Sequence, residues 1–547
     1  MRRAGTRQVY RVGTDPDPGL EITGGKAASL YRMTALGIAI PPAFVVSTDA
    51  CRRYLDTGRL PDGLFDEIRE AMTWLEATTG RVFGGDPPLL VSVRSGAAIS
   101  MPGMMDTLLN LGLTDETEKA LADALGAECA AATRDRFRRS YPSDVVVPEN
   151  PWEQLRTAVE AVFESWNSPR AVAYRKRGRI SDELGTAVTV QAMVLGHSGE
   201  RSGTGVVFSR DPLTGERRLF GEWLPRAQGE DLVSGEVDGR PLAELASQLP
   251  DVYAELESHV ATLERVGADL QDVEFTVEEG KLWLLQARAA KRSPLAAIRT
   301  AVEMAREGLI DTDTALSRVR PEQVRQLCLP TIAPEARERA SVLARGEPAC
   351  LGIGIGVVAG STAGIEALDE DAVLARETTS PEDFPGMAQS VAVITEHGGA
   401  TSHAAVVSRE MGVPCVVGCG SGTVTGLVGR TVTVDGAAGL VFDGALPLTE
   451  RDERADDHLA QLLQWARTAA SVDVLFPGEV PADLPVYDLG ETPPPGGAFA
   501  VTGSAFESSS QAAGAVDRAC RLGAAAIVTE HRLPVLLECI RREASVK

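Results

Sequence analysis

Nowhere does this sequence run for about 18 apolar residues without interruption, so it offers no segment long enough to cross a bilayer as a helix. Its opening, MRRAGTRQVYRVG, carries charge but lacks the apolar stretch of a secretory signal. Positive charge is in deficit: 54 Lys and Arg stand against 77 Asp and Glu, a net charge of -23. Such a surface repels nucleic acid and anionic membranes, so any phosphate group must be met by a local site. Cysteine is sparse as well. Eight are scattered through 547 residues, without the dense spacing of a disulfide scaffold, which predicts reduced, buried thiols. Cys415 and Cys419 form C-x3-C, but no second Cys or His pair at zinc-finger spacing accompanies them, and both are read as core. Aromatic residues, at 5%, are few. These absences predict a cytoplasmic protein with no nucleic-acid or membrane partner.

What is present fits a globular chain of several domains. Hydrophobic residues make up 44% and charged residues 24%, and the length suggests three or four units at about 150 residues each. The first third alternates strand-like runs such as AFVVST and LLVSVRS with amphipathic helices, the alternation of an α/β unit. After Asn150 as cap and Pro151 at the first helical position, Leu155, Val159, Val162, Phe163 and Trp166 fall on one helical face. EFTVEEGKLWLLQAR reads as a hairpin turning at Glu279-Gly280. These patterns divide the chain into a first unit over 1–335 with a helical insert at about 112–180, a linker over 336–350, a compact Gly- and Val-rich block over 351–446, and a tail over 447–547. The tail reads as a helix at about 455–470, a Pro-rich break at 491–497 and a last βα-like unit.

The sharpest chemical signal is VAVITEHGGATSHAAVVSREMGVPCVVGC. A β-like run stops at Gly398 and Gly399, Ser402 suits a helix N-cap, and Gly412 with Pro414 closes the helix. His403 therefore falls in the first turn. There, free backbone N–H groups and the positive end of the helix dipole stabilise a phosphoryl group held on imidazole. Thr401 and Ser402 add hydroxyl donors. A lone histidine at a helix start is ordinarily a capping or buried residue; its neighbours decide otherwise. The string GG-x-TSHAAVV-x-R-x-M-G-x-P-C resembles the phosphohistidine signature of the phosphoenolpyruvate-utilising enzymes, in the spelling of pyruvate phosphate dikinase.

Four further segments resemble the nucleotide-binding half of the same dikinase, which implies an ATP-grasp-like domain. TGGKAASLYRM places Lys26 after a glycine pair, where a point charge meets ATP phosphates. LLVSVRSGAAISMPGMMDT places Arg94 on an apolar strand as a phosphoryl clamp and, by resemblance, Met104 at the nucleotide. In QDVEFTVEEGKLWLLQARAAKR, Asp272 and Glu274 share one strand face, and Gln286 and Arg288 share a face of the returning strand. The resemblance carries all four to the ATP site, with Glu274 and Gln286 holding Mg2+. GTGVVFSRDPLTGERRLFGEWLPRAQGEDLVSG matches in type and spacing, Glu222 and Glu230 included, and so does SPEDFPGM at 380–387. A monovalent cation is a further cofactor that the resemblance implies.

The fold class expected is multidomain α/β and α+β: an ATP-grasp-like domain, a swivelling β/β/α phosphohistidine domain and a small α/β remnant. In the resembled family a TIM barrel binding phosphoenolpyruvate or pyruvate follows, and it needs roughly 250 residues. Here only RACRLGAAAIVTEHRL resembles a strand of it, with Val528 where that strand carries a substrate-binding arginine. The expected activity is ATP- and phosphate-dependent phosphorylation of His403, with AMP and pyrophosphate released. The group then passes to an acceptor other than pyruvate, either a small molecule or a separate acceptor-domain protein. The alternatives are the front subunit of a split dikinase and a non-catalytic nucleotide-binding or regulatory protein.

Overall fold

The computed structural model describes residues 7–546 apart from 100, 102, 142–145, 234–238, 329–330, 369, 450–455, 492–497 and 507–510. Two five-stranded antiparallel sheets build the first half. The first comprises β1 (Val9–Arg11), β2 (Ala43–Val46), β3 (Val91–Gly96), β4 (Thr107–Leu111) and β5 (Ala187–Ala192), in the order β1-β2-β5-β3-β4. Helix α1 (Leu20–Ala35) lies against it, broken at Gly24, whose φ of 71° no helix interior adopts. A methyl group on Gly24 would stand 1.7 Å from the Gly96 carbonyl oxygen, so glycine alone lets α1 approach β3 this closely.

Between β4 and β5 run α2 (Asp115–Leu125), α3 (Ala127–Arg139), α4 (Pro151–Ser165) and α5 (Pro169–Gly178). Asn150 caps α4 as its sequence indicates, its side chain accepting from Trp152 and Glu153 N–H, and Leu155, Val159, Val162 and Phe163 are fully buried against β3–β5. The second sheet comprises β6 (Gly203–Phe208), β7 (Phe220–Pro225), β8 (Arg240–Pro241), β9 (Gln271–Glu278) and β10 (Lys281–Ala289), ordered β8-β7-β6-β9-β10. Glu279 and Gly280, with φ of 51° and 80°, make the two-residue turn between β9 and β10. Helix α6 (Pro250–Gly267) covers one face of this sheet through Leu256, Val260 and Leu263.

Helices α7 (Pro294–Arg306), α8 (Thr312–Arg318) and α9 (Pro321–Cys328) follow. A short strand β11 (Thr331–Ile332) then leads into an eight-stranded mixed sheet. Its members are β12 (Val342–Arg345), β13 (Glu347–Cys350), β14 (Ile353–Ala359), β15 (Ala372–Arg376), β16 (Ala392–Thr395), β17 (Cys415–Val417), β18 (Thr431–Asp435) and β19 (Leu440–Asp443). Their order is β12-β19-β18-β14-β15-β16-β17-β13. This corrects the linker expected over 336–350: β12 and β13 form the two edges of the sheet, and Ala344, Ala349 and Cys350 lie in its core. Pro and Ala in that stretch suggested a connector, but sheet pairing overrides such local signals. The chain leaves through β20 (Leu448–Thr449), which pairs antiparallel with β11, so entry and exit lie side by side.

The tail holds α11 (Asp457–Ala469), β21 (Asp473–Leu475), β22 (Val486–Asp488), β23 (Ala500–Thr502), α12 (Ala512–Leu522), β24 (Ala526–Val528) and α13 (Arg532–Val546). Its strands form a parallel sheet ordered β21-β24-β23-β22. Leu459, Leu462, Val516, Ile527 and Leu536 share one core with Ile298, Val302, Leu316 and Val324 of α7–α9, so tail and connecting helices pack as one body. The Pro-rich break expected at 491–497 falls, from 492 on, outside the described residues. No helix among the described residues is long and apolar enough to cross a membrane.

Candidate active site

A loop from β16 leads into α10 (His403–Met411), which begins at the histidine. Gly398 takes φ 104°, and Ser402 occupies the N-cap with extended backbone. Gly412, left-handed at φ 69°, ends the helix. His403 is the first helical residue. Its Nδ1 lies 3.2 Å from Thr379 Oγ1, while Nε2 is buried with no hydrogen-bond partner. With the Thr379 hydroxyl accepting from Nδ1–H, the lone pair rests on Nε2. Burial holds the imidazole below its ordinary pKa and therefore neutral and nucleophilic near pH 7.

His403 faces a cavity of about 790 Å³ between the two antiparallel sheets. Lys26, at the start of α1 beyond its kink, and Arg94 on β3 line it from one sheet; Asp272, Glu274, Gln286 and Arg288 line it from the other. The hairpin register sets Asp272 opposite Arg288 and Glu274 opposite Gln286. Arg288 binds Asp272 at 2.9 Å, and Arg94 lies 3.7 Å from Glu274. Burial, with Arg94 and Arg288 nearby, pulls the Lys26 ammonium down to about 7 despite Glu274. Burial also pushes the Asp272 carboxyl up, against the pull of Arg288. Arg94, Arg288 and, when protonated, Lys26 outweigh Asp272 and Glu274, which leaves positive potential for an anion with several phosphates.

Several expectations change. Met104 does not line the cavity: it is 2% exposed and packs with Met101, Ala97, Trp166 and Ala171, because Gly103 (φ 69°) turns the loop so that Met101 and Met105 face inward. Thr401 lines the cavity but donates its hydroxyl to Glu222 Oε2 at 2.8 Å. Ser402 is the N-cap by position only; its hydroxyl is buried and makes no capping bond. Nothing is described of the Glu230 side chain. Cys415 and Cys419 are buried free thiols, pushed up to about 12 by burial. Of the other histidines, His397 bonds Ser421 at 3.1 Å and His197 bonds Thr133 at 2.9 Å. Sequence reasoning missed Thr379, which lies 24 residues before its partner and immediately before the SPEDFPGM motif; that adjacency was the one available signal.

Among the described residues no group of three or more His, Cys, Asp or Glu could hold a metal ion. Glu274 and Gln286 offer one carboxylate and one amide oxygen side by side. This set suits a hard cation that draws its remaining ligands from phosphates and water.

Comparison with known proteins matches two parts of the chain. Residues 20–243 match the pyruvate phosphate dikinase AMP/ATP-binding domain, and residues 368–439 match the mobile domain of PEP-utilising enzymes. The chain is 40% identical over 540 residues to a pyruvate, phosphate dikinase of Rhizobium meliloti (strain 1021), covering 84% of this chain and 60% of that protein. It is 38% identical over 529 residues to pyruvate, phosphate dikinase 2 of Oryza sativa subsp. japonica, covering 85% and 59%. Against the enzyme of Clostridium symbiosum the values are 37% over 531 residues, 84% and 60%. The chain thus spans about 60% of the length of these curated relatives. It carries a region similar to the AMP/ATP-binding domain of the pyruvate phosphate dikinases and a second similar to the mobile domain of PEP-utilising enzymes.

Proposed function

We propose that the chain is an ATP-dependent phosphotransferase in which His403 is the covalent carrier. The observation that carries this reading is the unpartnered Nε2 of His403, facing a cavity lined by Lys26, Arg94 and Arg288. ATP lies between the two sheets in an ATP-grasp-like manner. Nε2 attacks the β-phosphorus, the α–β bridge breaks, and AMP leaves. Transfer of the terminal phosphoryl group to inorganic phosphate yields pyrophosphate and leaves the β-phosphoryl on His403. Lys26, Arg94 and Arg288 hold charge as it spreads over the transferring oxygens, and the first turn of α10 donates N–H groups to the phosphoryl it receives. Glu274 and Gln286 would hold Mg2+, which supplies neutralisation of phosphate charge. The domain over residues 342–443 then swings on β11 and β20 to present the group to an acceptor other than pyruvate. Val528, standing where the resembled barrel strand has an arginine, supports that choice of acceptor.

The test is incubation with ATP labelled separately at the β and γ positions, with and without phosphate, followed by assay for acid-labile label. β label on wild type, absent from His403→Ala, with AMP formed, is the expected result. γ label with ADP would indicate an ordinary kinase. Absence of any label would overturn the proposal.

A further inference from the structure

The two ends of α10 are held by different parts of the molecule. Its N-terminal end, with His403, faces the nucleotide cavity. Its C-terminal end meets residues beyond β10 and on α5 and α9. Glu410 Oε1 accepts from Lys291 Nζ at 2.8 Å and from the Tyr174 hydroxyl at 3.3 Å. Gln326 on α9 donates to the Gly412 carbonyl at 3.1 Å. A methyl group on Gly412 would come within 2.3 Å of Gln326 Nε2 and displace the side chain that makes this contact. Nearby, the Phe384 ring centroid lies 5.5 Å from that of Tyr174, and the Arg177 guanidinium lies 5.0 Å from the Phe384 ring.

Beside this contact opens a cleft of about 360 Å³. Arg292, Arg320 and Arg325 line it from the fixed side, Arg409 and Glu410 from the carrier side. So many guanidinium groups suggest a site for a free anion, but the electrostatics argue otherwise. Glu322 and Glu410 share the lining, and the negative end of the α10 dipole is directed at it. Glu322 is on α9 itself, whereas Glu410 and the helix end belong to the carrier domain, so the arginines of the cleft already face an anionic group of that domain.

Glu410 also stands in the wrong place for its own helix. It is the penultimate residue of α10, where the free carbonyls repel a carboxylate. Arg409, the basic residue of the same turn, is buried and donates to the Ala349 and Ala400 carbonyls, whereas Lys291 and Tyr174 meet Glu410 across the seam. We propose that the C-terminal end of the carrier helix is a docking element, with Glu410 captured by a basic seat formed by Lys291, Tyr174 and the arginine-lined cleft. Rigid capture of this end fixes the approach of the other, so the seat is a positioning device for His403. The inference rests on the carrier reading above, because it assumes that the domain leaves the cavity.

Energy transfer between dyes at Val428→Cys on the carrier domain and Val266→Cys on α6, both exposed positions, reports the docked fraction without any chemistry. The half-buried Cys520 is changed to Ser in this background. Lys291→Glu and Glu410→Lys are each expected to lower the docked-to-undocked ratio roughly five- to tenfold and to slow labelling of His403 by the same factor. The double variant Lys291→Glu/Glu410→Lys is expected to recover most of both losses. Unchanged energy transfer in the single variants would overturn the proposal, as would a double variant no better than the sum of its parts. If wild-type His403 takes no label, the carrier reading fails, whereas the energy-transfer measurements still decide the seat.

Discussion

Lys26 ties nucleotide binding to pH, with a sign that can be worked out in advance. In the ligand-free protein its ammonium titrates at about 7 rather than 10.5, because burial and the neighbouring Arg94 penalise the charge. A bound polyphosphate reverses that penalty and restores the ammonium. At pH 8, one unit above the free value, roughly nine-tenths of the molecules hold neutral Lys26, so binding takes up roughly 0.9 proton; at pH 6 the uptake falls to roughly 0.1. Affinity is then flat below pH 7 and weakens by about tenfold, or about 1.4 kcal/mol, for each unit above it. Stability of the empty fold runs the other way. From about 7 to 10.5 the unfolded chain binds more protons than the folded one, so the empty fold gains stability as pH rises across that window. The assay is calorimetric titration with ATP at pH 8 in buffers of different ionisation enthalpy, which counts protons directly. Lys26→Met should abolish the uptake. Zero uptake in wild type, or equal uptake in Lys26→Met, would refute the assignment.

Other substitutions test separate parts of the structure. Thr379→Val leaves His403 Nδ1–H buried without an acceptor and should slow His403 labelling about 10- to 100-fold, the equivalent of about 1–3 kcal/mol, with ATP affinity in the same calorimetry unchanged. At saturating ATP, the wild-type labelling rate should be flat above neutrality and fall as pH drops through the depressed pKa of His403, because only neutral imidazole attacks. Arg210, fully buried among Glu264, Glu303 and Glu307, is a structural ion centre; Arg210→Ala strands those carboxylates and should cost about 3–5 kcal/mol in urea unfolding, and a loss below about 1 kcal/mol would contradict it. Gly24→Ala drives a methyl into the Gly96 carbonyl at a positive φ and should abolish ATP binding through displacement of α1 from β3, a loss visible in calorimetry.

The residues that could be read from sequence are those whose role depends on local backbone. Asn150 as cap, Glu279-Gly280 as turn and Gly412 as helix stop each follow from the conformations their side chains permit, and the structure places all three so. Period-two alternation put Asp272 and Glu274 on one face, and the hairpin register then set them opposite Arg288 and Gln286. What stayed hidden depends on long-range closure. Thr379 reaches His403 only because β15 and β16 are parallel neighbours. Strands β12 and β13 gain their partners from residues 65 or more positions downstream, which no local pattern announces. Met104 misled because a flexible apolar side chain suits a cavity wall or a core equally well, and the turn at Gly103 decides between them.

Strands β11 and β20 place the two ends of the carrier region side by side, with Thr331 opposite Thr449 and Ile332 opposite Leu448. A segment whose ends meet behaves as a cassette. It can be lifted out or exchanged with little strain on the flanking chain, because the gap left behind is about the 5 Å that separates paired strands. In the swing proposed above, the same closeness would make β11 and β20 a single pivot, with the reach of the cassette set by its own radius. The acceptor of that proposal would then lie on that arc.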